Sequence, residues 1–148
     1  PTVPCVAMPM PPAKWLPWLL LLGAGGAQGA PLACGDFLSR LGKKPPYLVY
    51  EGCQQNRERQ DQPFEARYAV DGKHARQAEA YLRRAYGLPR LQRYCCMWDS
   101  TRHSWRDRRT GYAYAMFMAT GETPVRTRAD WPRIERFVIQ VDGYAHDP

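Results

Sequence analysis

Phe64-Glu65-Ala66-Arg67-Tyr68-Ala69-Val70, followed by Asp71-Gly72-Lys73-His74-Ala75-Arg76-Gln77-Ala78-Glu79-Ala80-Tyr81-Leu82-Arg83-Arg84-Ala85-Tyr86-Gly87, is where the chain switches from a strand period to a helical one. Phe64, Ala66, Tyr68 and Val70 fall on one side of an extended segment, with Glu65, Arg67 and Ala69 on the other, so the segment reads as a half-buried strand. Beyond it Ala75, Ala78, Leu82 and Ala85 recur at helical spacing, with Tyr81 and Tyr86 beside them. Asp71 stands where a helix needs an acceptor for its first free N–H groups. Gly87 and Pro89 stop the helix, and Leu88 is placed to fold back on Leu82.

The same reading extends in both directions. Upstream, Asp36 to Gly42 is a short helix with Phe37, Leu38 and Leu41 on one side. Lys43-Lys44-Pro45-Pro46 is an extended link, Tyr47 to Cys53 a strand, and the polar stretch Gln54 to Gln62 a loop. Downstream, Leu91 to Trp98, Tyr112 to Ala119 and Phe137 to Tyr144 are strands. Asp99 to Gly111 is a polar loop, and Asp130-Trp131-Pro132 is a brief helical turn. The order is α-β-β-α-β-β-β. Strands in runs with segregated helices predict an α+β fold, an antiparallel sheet of about five strands with two helices on one face, and no internal repeat interrupts it.

The first part of the chain differs in kind. Among 148 residues, Lys14 is the one charged residue before Asp36, and it precedes Trp15-Leu16-Pro17-Trp18-Leu19-Leu20-Leu21-Leu22 and a run of small residues to Ala30. That order is a secretory signal, and the apolar run is too short and too rich in Gly to stay in a bilayer as an anchor. Residues 1–33 are therefore expected to be a signal peptide with preceding residues, and 34–148 a single disulfide-stabilised domain without a transmembrane span, periplasmic or secreted. Cleavage can follow Gly29 or fall nearer Cys34. Pro31-Leu32-Ala33-Cys34 partly matches a lipobox, which offers a lipid anchor on Cys34 as the alternative. Leu32 stands one place too late for it.

Losing Cys5 with the leader leaves Cys34, Cys53, Cys95 and Cys96, an even number suited to an oxidising compartment. Neighbours on a strand point to opposite faces, and a bond between them closes a strained ring. Cys95 and Cys96 are therefore expected to take one partner each from Cys34 and Cys53, in either pairing.

Cys34-Gly35-Asp36-Phe37-Leu38, Leu41-Gly42, Lys44-Pro45, Leu48, Cys53 and later Cys95-Cys96 with Trp98 together resemble a family of small exported bacterial proteins, domain of unknown function 4952. The resemblance implies export and one domain over nearly all of the chain beyond the leader. It carries no activity.

The residues that chemistry would need are sparse. Ser39, Ser100 and Ser104 are the serines, without a nucleophile-elbow motif, and His103 beside Ser104 is a neighbour pair in a loop. His74, His103 and His146 are too scattered to suggest a metal site, Cys95-Cys96 lacks the spacer of a thioredoxin-like motif, and no Gly-rich phosphate loop is present. No cofactor, metal or catalytic group is thus expected. Arg102-His103-Ser104-Trp105-Arg106-Asp107-Arg108-Arg109 stands out as a candidate binding loop. Arg102, Arg106, Arg108 and Arg109 can pair with carboxylate or phosphate, and Trp105 can stack on a flat or sugar-bearing ligand. The competing reading is a solvated hairpin loop whose Trp tucks against the sheet, and the sequence favours it. The net charge of +7 is carried by 17 Arg and 4 Lys, a skew that a GC-rich coding sequence explains before any anionic partner does. Export argues against nucleic acid as the ligand. The function expected is a non-enzymatic binding or interaction module of the cell envelope, its partner an anionic envelope component or another exported protein. A small periplasmic hydrolase is the alternative.

Overall fold

A computed structural model describes residues 29–146, together with 2, 4, 8 and 9. The expected leader core, Trp15 to Leu22, lies outside the described residues, as does Cys5. Seven strands form one antiparallel sheet: β1 (Val49–Gln55), β2 (Phe64–Val70), β3 (Gln92–Tyr94), β4 (Met97–Asp99), β5 (His103–Arg106), β6 (Ala113–Ala119) and β7 (Phe137–Tyr144). The strand order is β1-β2-β7-β6-β4-β3, with β5 also paired to β6. Helices α1 (Phe37–Leu41) and α2 (Gly72–Tyr86) and a 3-10 helix at Arg128–Arg133 complete it. Among the described residues no helix is long and apolar enough to cross a membrane.

The α+β class and the antiparallel sheet are as the sequence predicts, and the strand count differs for two local reasons. The expected strand from Leu91 to Trp98 is a hairpin, with Tyr94 paired to Met97 and Cys95-Cys96 as its turn. The expected loop from Asp99 to Gly111 contains β5, paired to β6 from His103↔Met116 to Arg106↔Ala113. Polar side chains there hid a strand that gains its place from backbone pairing rather than burial. β1 also runs on to Gln55, beyond the predicted end at Cys53.

The alternation in β2 continues across the sheet through its register. Tyr68 lies opposite Ile139, and Ile139 opposite Met118. These residues, with Ala66, Val70, Met116, Phe137 and Val141, bury against Phe37 and Leu38 of α1 and Ala75, Ala78 and Leu82 of α2. Both helices thus cover one face. Asp71 caps α2 by accepting from the Lys73 N–H at 2.8 Å, and Gly87 ends it at φ +79°, a conformation other residues resist. Gly72 has a different reason: a Cβ there would lie 2.1 Å from the Trp131 carbonyl oxygen, so only glycine lets α2 meet the 3-10 helix. The Tyr68 hydroxyl fastens α1 to the sheet, accepting from the Leu38 N–H at 3.1 Å and donating to Asp36 Oδ1 at 3.0 Å. Burial raises the pKa of that phenol well above its ordinary value.

Packing starts before Cys34. Leu32 is half-buried against the core and its N–H donates to the Tyr112 hydroxyl at 3.0 Å, while that hydroxyl donates to the Ala30 carbonyl at 3.1 Å.

The disulfide pairing departs from expectation. Cys34 bonds to Cys53, with Cα atoms 5.6 Å apart, and Cys95 and Cys96 are free thiols. The cause is topological. Cys53 lies on β1 at one edge of the sheet and the Cys95-Cys96 turn joins β3 to β4 at the other, so neither pairing that the strand argument allowed can be reached. The premise fails too, because the neighbouring cysteines occupy a turn and not a strand. The bond also occupies the Cys34 sulfur that a lipid anchor would need.

Candidate binding site

The face of the sheet without helices is where polar chemistry collects. On β7 the residues alternate to it as Val138, Gln140, Asp142 and Tyr144, and Glu65 of β2 lies directly opposite Asp142. Asp142 is 0% exposed, an arrangement that a carboxylate tolerates only when its charge is met. Three donors meet it: Arg59 Nη1 at 2.6 Å and Arg102 Nη2 on Oδ2, and Gln140 Nε2 at 2.8 Å on Oδ1. The Tyr144 hydroxyl accepts from Arg102 Nη2 at 2.7 Å and from Arg59 Nη2 at 3.2 Å.

Arg59 reaches this point because the polar loop after β1 is tightly built. Asn56 Oδ1 accepts from the N–H groups of Glu58 and Arg59, and Asn56 Nδ2 donates to Glu65 Oε1 at 2.9 Å. Burial works against the charge on Arg59 and Arg102, yet their hydrogen bonds to Asp142 outweigh it, and both guanidiniums are held above their ordinary pKa. Arg59 also lies 3.5 Å from Glu65 and 3.3 Å from Asp61. Two cations are therefore shared among three carboxylates, and the cluster is internally satisfied.

The candidate residues of the Arg-rich segment divide by strand alternation. His103 and Trp105 point to the helix side, where Trp105 stacks 5.4 Å from Tyr114 and lies 5.1 Å from Tyr86. Arg102 and Arg106 take the opposite side. Arg102 is committed to Asp142, Arg106 donates to the Gly111 carbonyl at 2.6 Å, and Arg109 donates to the Arg40 carbonyl at 2.8 Å. Arg108 is exposed at the hairpin tip. Asp107 builds that tip: its Oδ2 accepts from the Thr110 N–H at 3.0 Å and hydroxyl at 2.6 Å. Burial would raise the Asp107 pKa, and these bonds override it, holding the carboxyl below the usual range.

Trp105 and Arg106 nonetheless border one open cleft, lined by Ser104, Trp105 and Arg106 of β5, by Ala113 and Tyr114 at the start of β6, and by Tyr144. On the helix-free side it presents the Ser104 hydroxyl, the Arg106 guanidinium and Tyr144, a set suited to an anionic ligand, while the rings of Trp105 and Tyr114 turn to the helix side. Among the described residues no group of three His, Cys, Asp or Glu is close enough to hold a metal ion.

Sequence reasoning missed Asp142, Arg59 and Tyr144. One signal was available: an acid among the apolar alternation of Phe137, Ile139 and Val141, where the outward position is easily taken as solvated. Its burial depends on Arg59 and Arg102, which arrive from loops distant in sequence.

A family model described as a domain of unknown function, DUF4952, matches residues 26–98. The match ends at Trp98, short of the coverage expected from the sequence. No curated protein and no solved structure matches the chain.

Proposed function

We propose that this chain, a member of the DUF4952 family over residues 26–98, is an exported, non-enzymatic binding module of the cell envelope that takes an anionic partner at the end of the β5–β6 hairpin. The cleft that brings Arg106, Ser104 and Tyr144 together on the helix-free side carries the reading, with Arg108 at the adjoining tip. Charge distribution supports it. Asp142 and Asp61 are matched by Arg59 and Arg102, Glu79 by Arg128, Asp36 by Lys44 and Glu51 by Arg136. These acids are met within the fold, while the chain as a whole carries a net charge of +7. Arg102 and Arg109 position the hairpin and Arg106 and Arg108 meet the partner. Leader removal after Gly29 would keep the Ala30 carbonyl in its bond with the Tyr112 hydroxyl.

The test is retention on cell-envelope fragments of the protein and of an Arg106→Gln/Arg108→Gln variant. Arg102 is kept, because its loss would expose Asp142. Retention should fall roughly tenfold in the variant, equivalent to about 1.4 kcal/mol, with melting nearly unchanged. Equal retention overturns the site, and release of small soluble products from the fragments would overturn the non-enzymatic reading.

A further inference from the structure

Cys95 and Cys96 are the two residues of the turn between β3 and β4, since Tyr94 and Met97 on either side are already a paired position of the ladder. Both thiols are free. Cys95 is exposed and Cys96 partly so, on a hairpin at the edge of the sheet where a reagent can approach. Cys95 also holds φ +50°, a left-handed conformation that favours glycine or asparagine at such a turn. Backbone strain kept at a position where glycine would relieve it points to a use for the side chain.

We propose that Cys95 and Cys96 are a vicinal dithiol site, closed to an intramolecular disulfide by thiol–disulfide exchange with an external disulfide and opened again by a dithiol. This does not depend on the anionic partner. The more exposed Cys95, as thiolate, attacks one sulfur of the donor, forming a mixed disulfide and releasing one donor thiolate. Cys96 then loses its proton and attacks the Cys95 sulfur, expelling the second donor thiolate. Cys95 and Cys96 are together oxidised by two electrons, the donor disulfide is reduced to two thiols, and those thiols take up the two protons. The hydrogen bond to Cys95 and, after it, burial hold the Cys96 thiol above its ordinary pKa, so Cys96 keeps its proton until the second step. Closure joins residues that one peptide bond already holds together, so the ring is strained and reopens readily, unlike the bond from Cys34 to Cys53.

Oxidised glutathione is the probe. The full chain is incubated with it, free thiols are blocked with N-ethylmaleimide, and trypsin releases the segment Tyr94 to Arg102 between two arginines. That peptide should appear lighter by two hydrogens, without label or glutathione, and should take two labels after dithiothreitol. A Cys96→Ser variant should stop at the first step, with glutathione retained on Cys95. Two labelled thiols after oxidation, stable glutathione on both cysteines, or a bond from either to another cysteine or another copy of the chain would each overturn the proposal.

Discussion

On the helix side of the sheet burial is achieved mainly with rings and aliphatic chains, with Tyr68 bringing the hydroxyl that fastens α1 and Glu79 of α2 a buried carboxylate met by Arg128. On the opposite side no helix is available, and the most deeply buried group is the charge of Asp142, covered by two loop arginines that both precede it in sequence. The two solutions differ in what they ask of the chain. Apolar burial works with any well-fitting shape and scales with area, whereas a buried carboxylate demands particular donors at particular places. The helix side should therefore fail through lost volume, and the other side through lost charge compensation.

The largest effect should come from volume. Trp131 is fully buried, with ring centres 5.2 Å from Trp98 and 5.0 Å from Phe137. Trp131→Ala should lower unfolding free energy by about 3–5 kcal/mol in urea titrations. A loss under about 1 kcal/mol would mean that the helix side collapses around the cavity, and the contrast would lose its first half.

Next comes charge. An Arg59→Ala/Arg102→Ala variant leaves the Asp142 carboxylate buried with Gln140 as its remaining donor, and should cost about 3 kcal/mol at neutral pH. Adding Asp142→Asn to that variant should recover part of the loss, because a neutral amide carries no charge to bury. No recovery would show that the two arginines act by packing alone.

The smallest effect sharpens the comparison at a polar point on the helix side. Burial raises the Asp36 pKa, but Lys44 at 2.8 Å and hydrogen bonds from Ser39 and Tyr68 outweigh it, and the folded value lies below the usual carboxylate one. Such a group stabilises the fold above its unfolded pKa, and that contribution is lost as pH falls through the depressed folded value. Asp36→Asn should cost about 1 kcal/mol or less near neutrality, since Asn still caps a helix, and should flatten the acid limb of stability against pH. An unchanged acid limb would assign it to other carboxylates.

How much of this was legible follows the same division. β2 and α2 were readable to the residue, because Phe64 to Val70 and Asp71 to Gly87 each carry their own period and stop signals. β7 was equally plain from Phe137, Ile139 and Val141. β5 was not, because His103-Ser104-Trp105-Arg106 has no apolar alternation and becomes a strand by pairing with β6. Trp105, expected in a solvated loop, stands on that strand and stacks on Tyr114 of β6. Asp142 and its arginines were invisible because their partnership spans 83 residues in one case and 40 in the other. The cysteines show the same limit: a count reveals that bonds are available, and only strand order reveals which thiols can meet.

Strand order has one more consequence. The family match stops at Trp98, within β4, and takes in β1, β2, β3 and most of β4, yet β2 and β4 are not neighbours: β7 and β6 stand between them. The matched segment cannot close this sheet by itself, because β6 and β7, the two strands at its middle, lie beyond Trp98. A chain truncated after Trp98 would hold the rims of a wheel without its hub.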